Sequence, residues 1–247
     1  MGRGGGAPRL PIDEALPALL EALERSPCLV IEAPPGAGKS TRIAPALLER
    51  VEGKILLLQP RRVAARAVAA GIAAYLGAEL GGLVGYQVRF ERRCGSETRI
   101  EVLSEGILLQ RLRADPSLEG VGAVLVDELH ERSLNLELLV PMLREVQRLF
   151  RPDLALLLLS ATIDGATLAA QLAGERFAVE GRRFPLELRY QGGSAQRPLI
   201  DRCLEAIETL WHELDAGHLL VFLPGRREIG AVAARCAHPT LPLYGAL

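Results

Sequence analysis

Residues 28–41 read Cys28-Leu29-Val30-Ile31-Glu32-Ala33-Pro34-Pro35-Gly36-Ala37-Gly38-Lys39-Ser40-Thr41, an apolar run closed by a proline and glycine turn that ends on Gly-Lys-Ser-Thr. The run has the length of a buried strand, and Ser40 to Arg50 beyond it carries apolar residues at helical spacing. Strand, glycine turn and helix in that order make a phosphate-binding loop. Gly36 and Gly38 let backbone N–H groups converge on an anion, and the helix start adds the positive end of its dipole. The pattern Gly-x-x-x-x-Gly-Lys-Ser/Thr holds at Gly38, Lys39 and Ser40, with Ala33 in its first position. Pro35, Gly36, Ala37, Gly38, Lys39, Ser40 and Thr41 are thus the expected nucleotide contacts. Lys39 would reach the β and γ phosphates and Ser40 a magnesium ion. The bland alternative is an ordinary turn between a strand and a helix.

A second acidic feature fits the first. Val124-Leu125-Val126-Asp127-Glu128 puts two carboxylates where an apolar strand ends. Asp127 can hold a magnesium shell, with Glu128 beside it to orient or activate a water. Alone, such a pair reads equally as a helix cap or a solvated turn; the upstream loop gives it a partner. Gly4 to Gly6 precede no strand, so a dinucleotide cofactor is not expected.

Outward from these motifs, short apolar runs alternate with longer amphipathic ones. Strands are predicted at Cys28 to Glu32, Lys54 to Gln59, Arg99 to Leu103, Ala123 to Asp127 and Leu154 to Ser160. Helices are predicted at Ile12 to Arg25, Ser40 to Arg50, Arg61 to Leu76, Glu105 to Arg113 and Leu136 to Phe150. This is an α/β pattern with a mainly parallel sheet sandwiched by helices, whose ligands bind outside the carboxyl ends of the strands. Residues 1–11 read as a flexible lead-in and 12–190 as one nucleotide-binding domain. From 191 to 247 the alternation restarts, with a strand up to Tyr190 before it, a helix from Pro198 to Leu214, a strand at Leu219 to Leu223 and a helix from Arg226. That second unit is too short to close a doubly wound domain, so the chain is expected to be part of a longer protein.

Composition bounds the rest. Of 247 residues 49% are hydrophobic and 24% charged, a globular balance. The net charge of −1 offers no overall attraction to nucleic acid, so any such contact must come from local patches. Cys28, Cys94, Cys203 and Cys236 form no Cys-x-x-Cys pair and signal neither zinc nor a redox dithiol. No apolar stretch approaches a membrane span, and Asp13, Glu14 and Glu21 interrupt any signal peptide, so a cytoplasmic location is expected.

Asp127-Glu128-Leu129-His130-Glu131-Arg132-Ser133 resembles the signature of the DEAH-box helicases of superfamily 2, with Leu129 where that family has Ala or Phe. Gln59 to Ala65 resembles the family's motif Ia, Gly85 to Glu91 the segment that follows, and Leu103 to Leu108 motif Ib. Ser160-Ala161-Thr162 resembles motif III and Leu220 to Gly225 motif IV. The resemblance implies a RecA-like P-loop NTPase domain and the incomplete start of a second. It implies a machine that spends ATP or another nucleoside triphosphate, with Mg2+, to move along or unwind nucleic acid. RNA is the preferred polymer because many relatives act on it, with DNA the alternative.

By the same resemblance Lys39, Asp127, Glu128 and His130 carry the catalysis, and Ser40, Asp127 and Glu128 the magnesium. Arg61, Arg62, Ser104, Glu105 and Gly106 would touch the nucleic acid, and Ser160, Ala161 and Thr162 would couple the two sites. Arg61 and Arg62 at a helix start oppose its dipole, which favours anionic partners, although a solvated first turn would look the same. Ser104 could equally be only an N-cap. Arg89, Arg92 and Arg93 read either as nucleic-acid contacts or as ordinary charged surface. Motifs V and VI do not occur before Leu247, so this chain is expected to bind nucleotide and hydrolyse it poorly. A P-loop ATPase that is not a helicase, or a non-catalytic nucleotide-binding module, remains open at this level.

Overall fold

The computed structural model describes residues 8–131, 133–161, 164–180, 187–190 and 197–244. The chain divides into two compact units, Met1–Arg183 and Phe184–Leu247.

The first unit is built on a sheet of β1 (Cys28–Glu32), β2 (Lys54–Gln59), β3 (Val84–Val88), β4 (Glu91–Arg93), β5 (Ile100–Ser104), β6 (Val121–Val126), β7 (Ala155–Ser160) and β8 (Glu175–Ala178). Their order is β4-β3-β5-β2-β6-β7-β1-β8, parallel throughout except that β4 runs antiparallel to β3. Parallel strands buried on both faces need apolar side chains at every position. The segments Leu56-Leu57-Leu58, Val124-Leu125-Val126 and Leu156-Leu157-Leu158 supply them.

Because side chains alternate, each strand feeds two cores. Leu29, Ile31, Leu57, Leu125 and Leu157 pack against α1 (Pro11–Arg25), α2 (Lys39–Leu47) and α3 (Arg62–Leu76). Val30, Leu56, Leu58, Val124 and Leu156 pack against α4 (Glu105–Ala114), α5 (Leu134–Leu149) and α6 (Gly165–Gln171). Where β2 and β6 begin, their register shifts at Lys54 and the backbones close up. A Cβ at Gly122 would stand 1.9 Å from the Glu52 carbonyl oxygen. No helix among the described residues is long and apolar enough to cross a membrane.

All parallel strands end on one edge of the sheet. Along it, from β5 through β2, β6 and β7 to β1, come Ser104, Gln59, Asp127, Ser160 and Ala33.

The second unit packs α7 (Leu199–Glu213) on α8 (Arg226–Arg235), with Ile207 and Val232 buried. Arg235 pairs with Asp201 at 2.6 Å. The Trp211 and His238 rings stack at 4.2 Å, while His238 and His212 both reach the Glu208 carboxylate, at 2.8 and 3.1 Å.

Three expectations are corrected. Leu219 to Leu223 forms no strand, and neither does 187–190, because no described segment pairs with them; Phe222 is 87% exposed. Beyond the five strands expected, β3, β4 and β8 also form, and Arg92 and Arg93 lie on β4, the outer strand of a hairpin that runs from Gly85 on β3 through the turn at Arg89 and Phe90.

Candidate nucleotide and nucleic-acid site

The phosphate loop leaves β1 at Glu32 and turns twice through left-handed backbone, at Gly36 (φ 74°) and Gly38 (φ 93°). A Cβ at Gly38 would collide with Leu10 Cδ1 at 2.7 Å and Ile12 Cγ2 at 2.9 Å, so glycine is required there for space as well as for conformation. The start of α1 seats this turn from below: Ile12 N–H donates to the Ala37 carbonyl at 3.0 Å. Arg42, one turn into α2, braces the contact. It reaches the Pro8 carbonyl at 3.1 Å and Asp13 at 3.3 Å, with its guanidinium 3.7 Å from the Tyr75 ring centre. At its far end the loop is tied to motif III, since Ala33 N–H donates to the Ser160 carbonyl at 3.1 Å.

Lys39 opens α2 and is 6% exposed. Its ammonium donates back into the loop, to the carbonyls of Ala33 at 2.6 Å and Pro34 at 3.1 Å. Burial lowers its pKa below the ordinary value of 10.5, against the opposing pull of Asp127 and Glu128. A buried cation held only by carbonyl dipoles and flanking carboxylates favours the arrival of an anion. Thr41 turns its hydroxyl back to the Gly38 carbonyl at 3.4 Å, while Pro35 and Gly36 are exposed at the rim.

Asp127, fully buried at the end of β6, meets this loop although β7 lies between the two strands. The Ser40 hydroxyl donates to Asp127 Oδ2, which also accepts from the Gln59 amide at 2.6 Å; Oδ1 accepts from Glu128 N–H at 2.8 Å. Glu128 then takes a left-handed backbone, φ 54°, a conformation that costs energy outside glycine and gathers at functional sites. Its carboxylate lies 3.3 Å from His130 Nε2, while His130 Nδ1 is buried without a hydrogen-bond partner among the described residues. The Ser40 hydroxyl and the Asp127 carboxylate thus meet beside the Lys39 ammonium, which feels the charges of both Asp127 and Glu128. The donor set suits a hard cation with phosphate oxygens: two protein oxygens from Ser40 and Asp127, with the remaining positions left to phosphate and water. Among the described residues no cluster of three or more His, Cys, Asp or Glu makes a self-sufficient metal cage.

The residues expected to meet nucleic acid sit on the same edge, beyond β6. Arg61 is the N-cap residue of α3 and Arg62 its first helical residue; both are exposed. Ser104 stands at the N-cap position of α4, but its hydroxyl makes no capping bond, which corrects the expectation that it caps this helix. Gly106 is exposed and has open space around it. Glu105 is buried, its carboxylate accepting from the Ser133 hydroxyl at 2.7 Å. Ser160 is fully buried at the end of β7 and Ala161 follows it; Thr162 lies outside the described residues, as does Arg132.

Sequence reasoning assigned no role to Gln59, Glu131 or Ser133, though each was quoted within a motif, nor to Arg42 and Asp13. Gln59 at a strand end beside Asp127 follows from strand order alone, which a sequence does not print. Asp13 and Arg42 carry no signal at all before the chain is folded.

Comparison with known proteins gives a consistent picture. The DEAD/DEAH box helicase family model matches residues 13–170. The ATP-dependent RNA helicase HrpB of Escherichia coli (strain K12) is 43% identical over 247 residues, covering 96% of this chain and 30% of that protein. The human ATP-dependent RNA helicase DHX30 is 37% identical over 258 residues, covering 93% of this chain and 22% of its own length. A crystal structure of the E. coli DEAH/RHA helicase HrpB superposes with a TM-score of 0.88 at 43% identity, over 96% of this chain and 31% of that one. The chain therefore spans about 30% of the length of the first of these relatives.

Proposed function

The chain belongs to the DEAD/DEAH box helicase family, and from that premise we propose that it binds a magnesium nucleoside triphosphate and works as the motor portion of an ATP-dependent nucleic-acid helicase. The carrying observation is the meeting of the Ser40 hydroxyl with the Asp127 carboxylate beside the buried Lys39. RNA is the proposed polymer, because the relatives HrpB and DHX30 are ATP-dependent RNA helicases. Residues 12–190 are read as the first RecA-like helicase domain and 191–247 as the opening of a second.

Each residue has a task that its surroundings support. The N–H groups of the Gly36 to Ser40 turn cradle phosphate oxygens. Lys39 exchanges its loop carbonyls for phosphate, and Ser40 and Asp127 hold the magnesium. Bound magnesium supplies neutralising charge to the triphosphate. Gln59 fixes the orientation of Asp127, and Glu128 places a water and accepts its proton at a carboxylate oxygen, with His130 alongside. Arg61, Arg62 and the helix starts at Glu105 and Gly106 take backbone phosphates, so affinity is salt-sensitive and nearly independent of sequence.

Equilibrium binding of a fluorescent ATP analogue with and without Mg2+ tests the core of this reading. Lys39→Ala and Asp127→Ala should each abolish the magnesium-dependent part; retention of it by either variant overturns the site. Titrating the same chain with single-stranded RNA and DNA at two salt concentrations separates a helicase from a P-loop enzyme indifferent to nucleic acid.

A further inference from the structure

The one cation best placed for a phosphate at the end of β2 already has an anion. Arg61 Nη2 lies 3.1 Å from Glu131 Oε1. Glu131 is no neutral bystander, because its own N–H donates to the Glu128 carbonyl at 2.9 Å. That bond closes the short 3-10 turn Leu129–Glu131, which starts from the left-handed Glu128 and carries His130. Beyond the turn the backbone is pinned again. The Ser133 hydroxyl donates to Glu105 at 2.7 Å and accepts Leu136 N–H at 3.1 Å. The turn is thus closed by its own backbone bond, and its last residue rests in addition on an ion pair whose arginine side chain is 75% exposed.

We propose that Glu131 is a positioning residue: it occupies Arg61 until a nucleic-acid phosphate displaces it, and its release frees the turn that holds Glu128 and His130. The proposal rests on the reading of Arg61 as a phosphate contact. An exposed pair is weak enough to exchange, and a phosphate can accept from the arginine fork through two of its oxygens. The exchange balances charge, one anion leaving as another arrives. Its signature is competition. The ions released on binding are those condensed on the nucleic acid, so the salt slope counts the phosphates engaged whether or not Arg61 began with a partner, while Glu131 lowers the affinity by holding Arg61.

The test uses the whole chain with a fluorescently labelled single-stranded oligoribonucleotide over a series of salt concentrations, comparing wild type, Arg61→Ala, Glu131→Gln and the double variant. Glutamine retains the backbone bond of the turn. Glu131→Gln should tighten binding about two- to five-fold, the range in which an exposed ion pair acts. The slope of log K against log salt should stay as in wild type; adding Arg61→Ala should remove the gain in affinity and flatten the slope by about 0.7, one single-strand phosphate contact. A second readout is affinity for a fluorescent ATP analogue. Without RNA, Glu131→Gln should already show the affinity that wild type reaches only with saturating RNA, a shift that a purely structural role would not produce. If Arg61→Ala weakens RNA binding equally in both backgrounds, and Glu131→Gln alters neither RNA affinity nor nucleotide affinity, the proposal is overturned and the reading of Arg61 stands. If Arg61→Ala changes nothing in either background, that reading falls and the proposal with it.

Discussion

Asp127 receives donors from three different elements: Ser40 on α2, Gln59 at the end of β2, and its own neighbour Glu128. Gln59→Leu removes one of them and leaves the carboxylate freer to turn. Mg2+-dependent nucleotide affinity should fall about three- to ten-fold, the net value of one typical hydrogen bond, as read from a magnesium titration with a fluorescent nucleotide; Mg2+-independent affinity should hardly move. Lys39 yields a prediction in pH. Its ammonium is lowered by burial from the ordinary 10.5. Between the lowered value and 10.5 the folded chain binds fewer protons than the unfolded one, so stability rises with pH over that interval. Urea unfolding of wild type and Lys39→Met should diverge in favour of wild type as pH climbs toward 10.5. A constant difference between the two would mean that the fold does not disfavour the charge.

At the scale of elements, Ser133 caps α5 and holds Glu105 at the same time. Ser133→Ala should cost about 0.5–2 kcal/mol, the value of an N-cap, by chemical denaturation. Gly122 answers to a different constraint, since a Cβ there would press on the Glu52 carbonyl. Gly122→Ala should destabilise by about 1–3 kcal/mol, as overpacking does, and the site residues at the other end of β6 would report it only through global unfolding. The elements that were legible in the sequence are those with one environment. β1, β2, β6 and β7 are apolar on both faces, and their positions were predicted to within about two residues, as strand ends commonly allow. Those missed sit at the margins. β4 is Glu91-Arg92-Arg93, β8 begins Glu175-Arg176, and β3 contains Gly85 and Gln87, so none gives an apolar run. Leu219 to Leu223 failed in the opposite sense: its composition suits a strand, but a strand exists only through a partner. The nucleotide loop and Asp127 were legible because their chemistry is local in sequence. The bonds from Gln59 to Asp127 and from Glu131 to Arg61 needed the strand order.

Across the whole molecule, a net charge of −1 leaves no general field to draw in a polyanion, so the proposed RNA binding would have to come from a few cations on one sheet edge. The slope of log K against log salt should therefore be modest, about −0.7 for each phosphate engaged, and similar for unrelated single-stranded sequences; a strong sequence preference would point to base contacts instead. The two outer strands bear on another property. An open sheet ends in unsatisfied N–H and C=O groups that could recruit a further copy of the chain, yet here one border is Glu91-Arg92-Arg93 and the other carries Glu175 and Arg176. A molecule stacking border to border would have to strip the water from these charged side chains, so the margins disfavour fibril growth in concentrated solution.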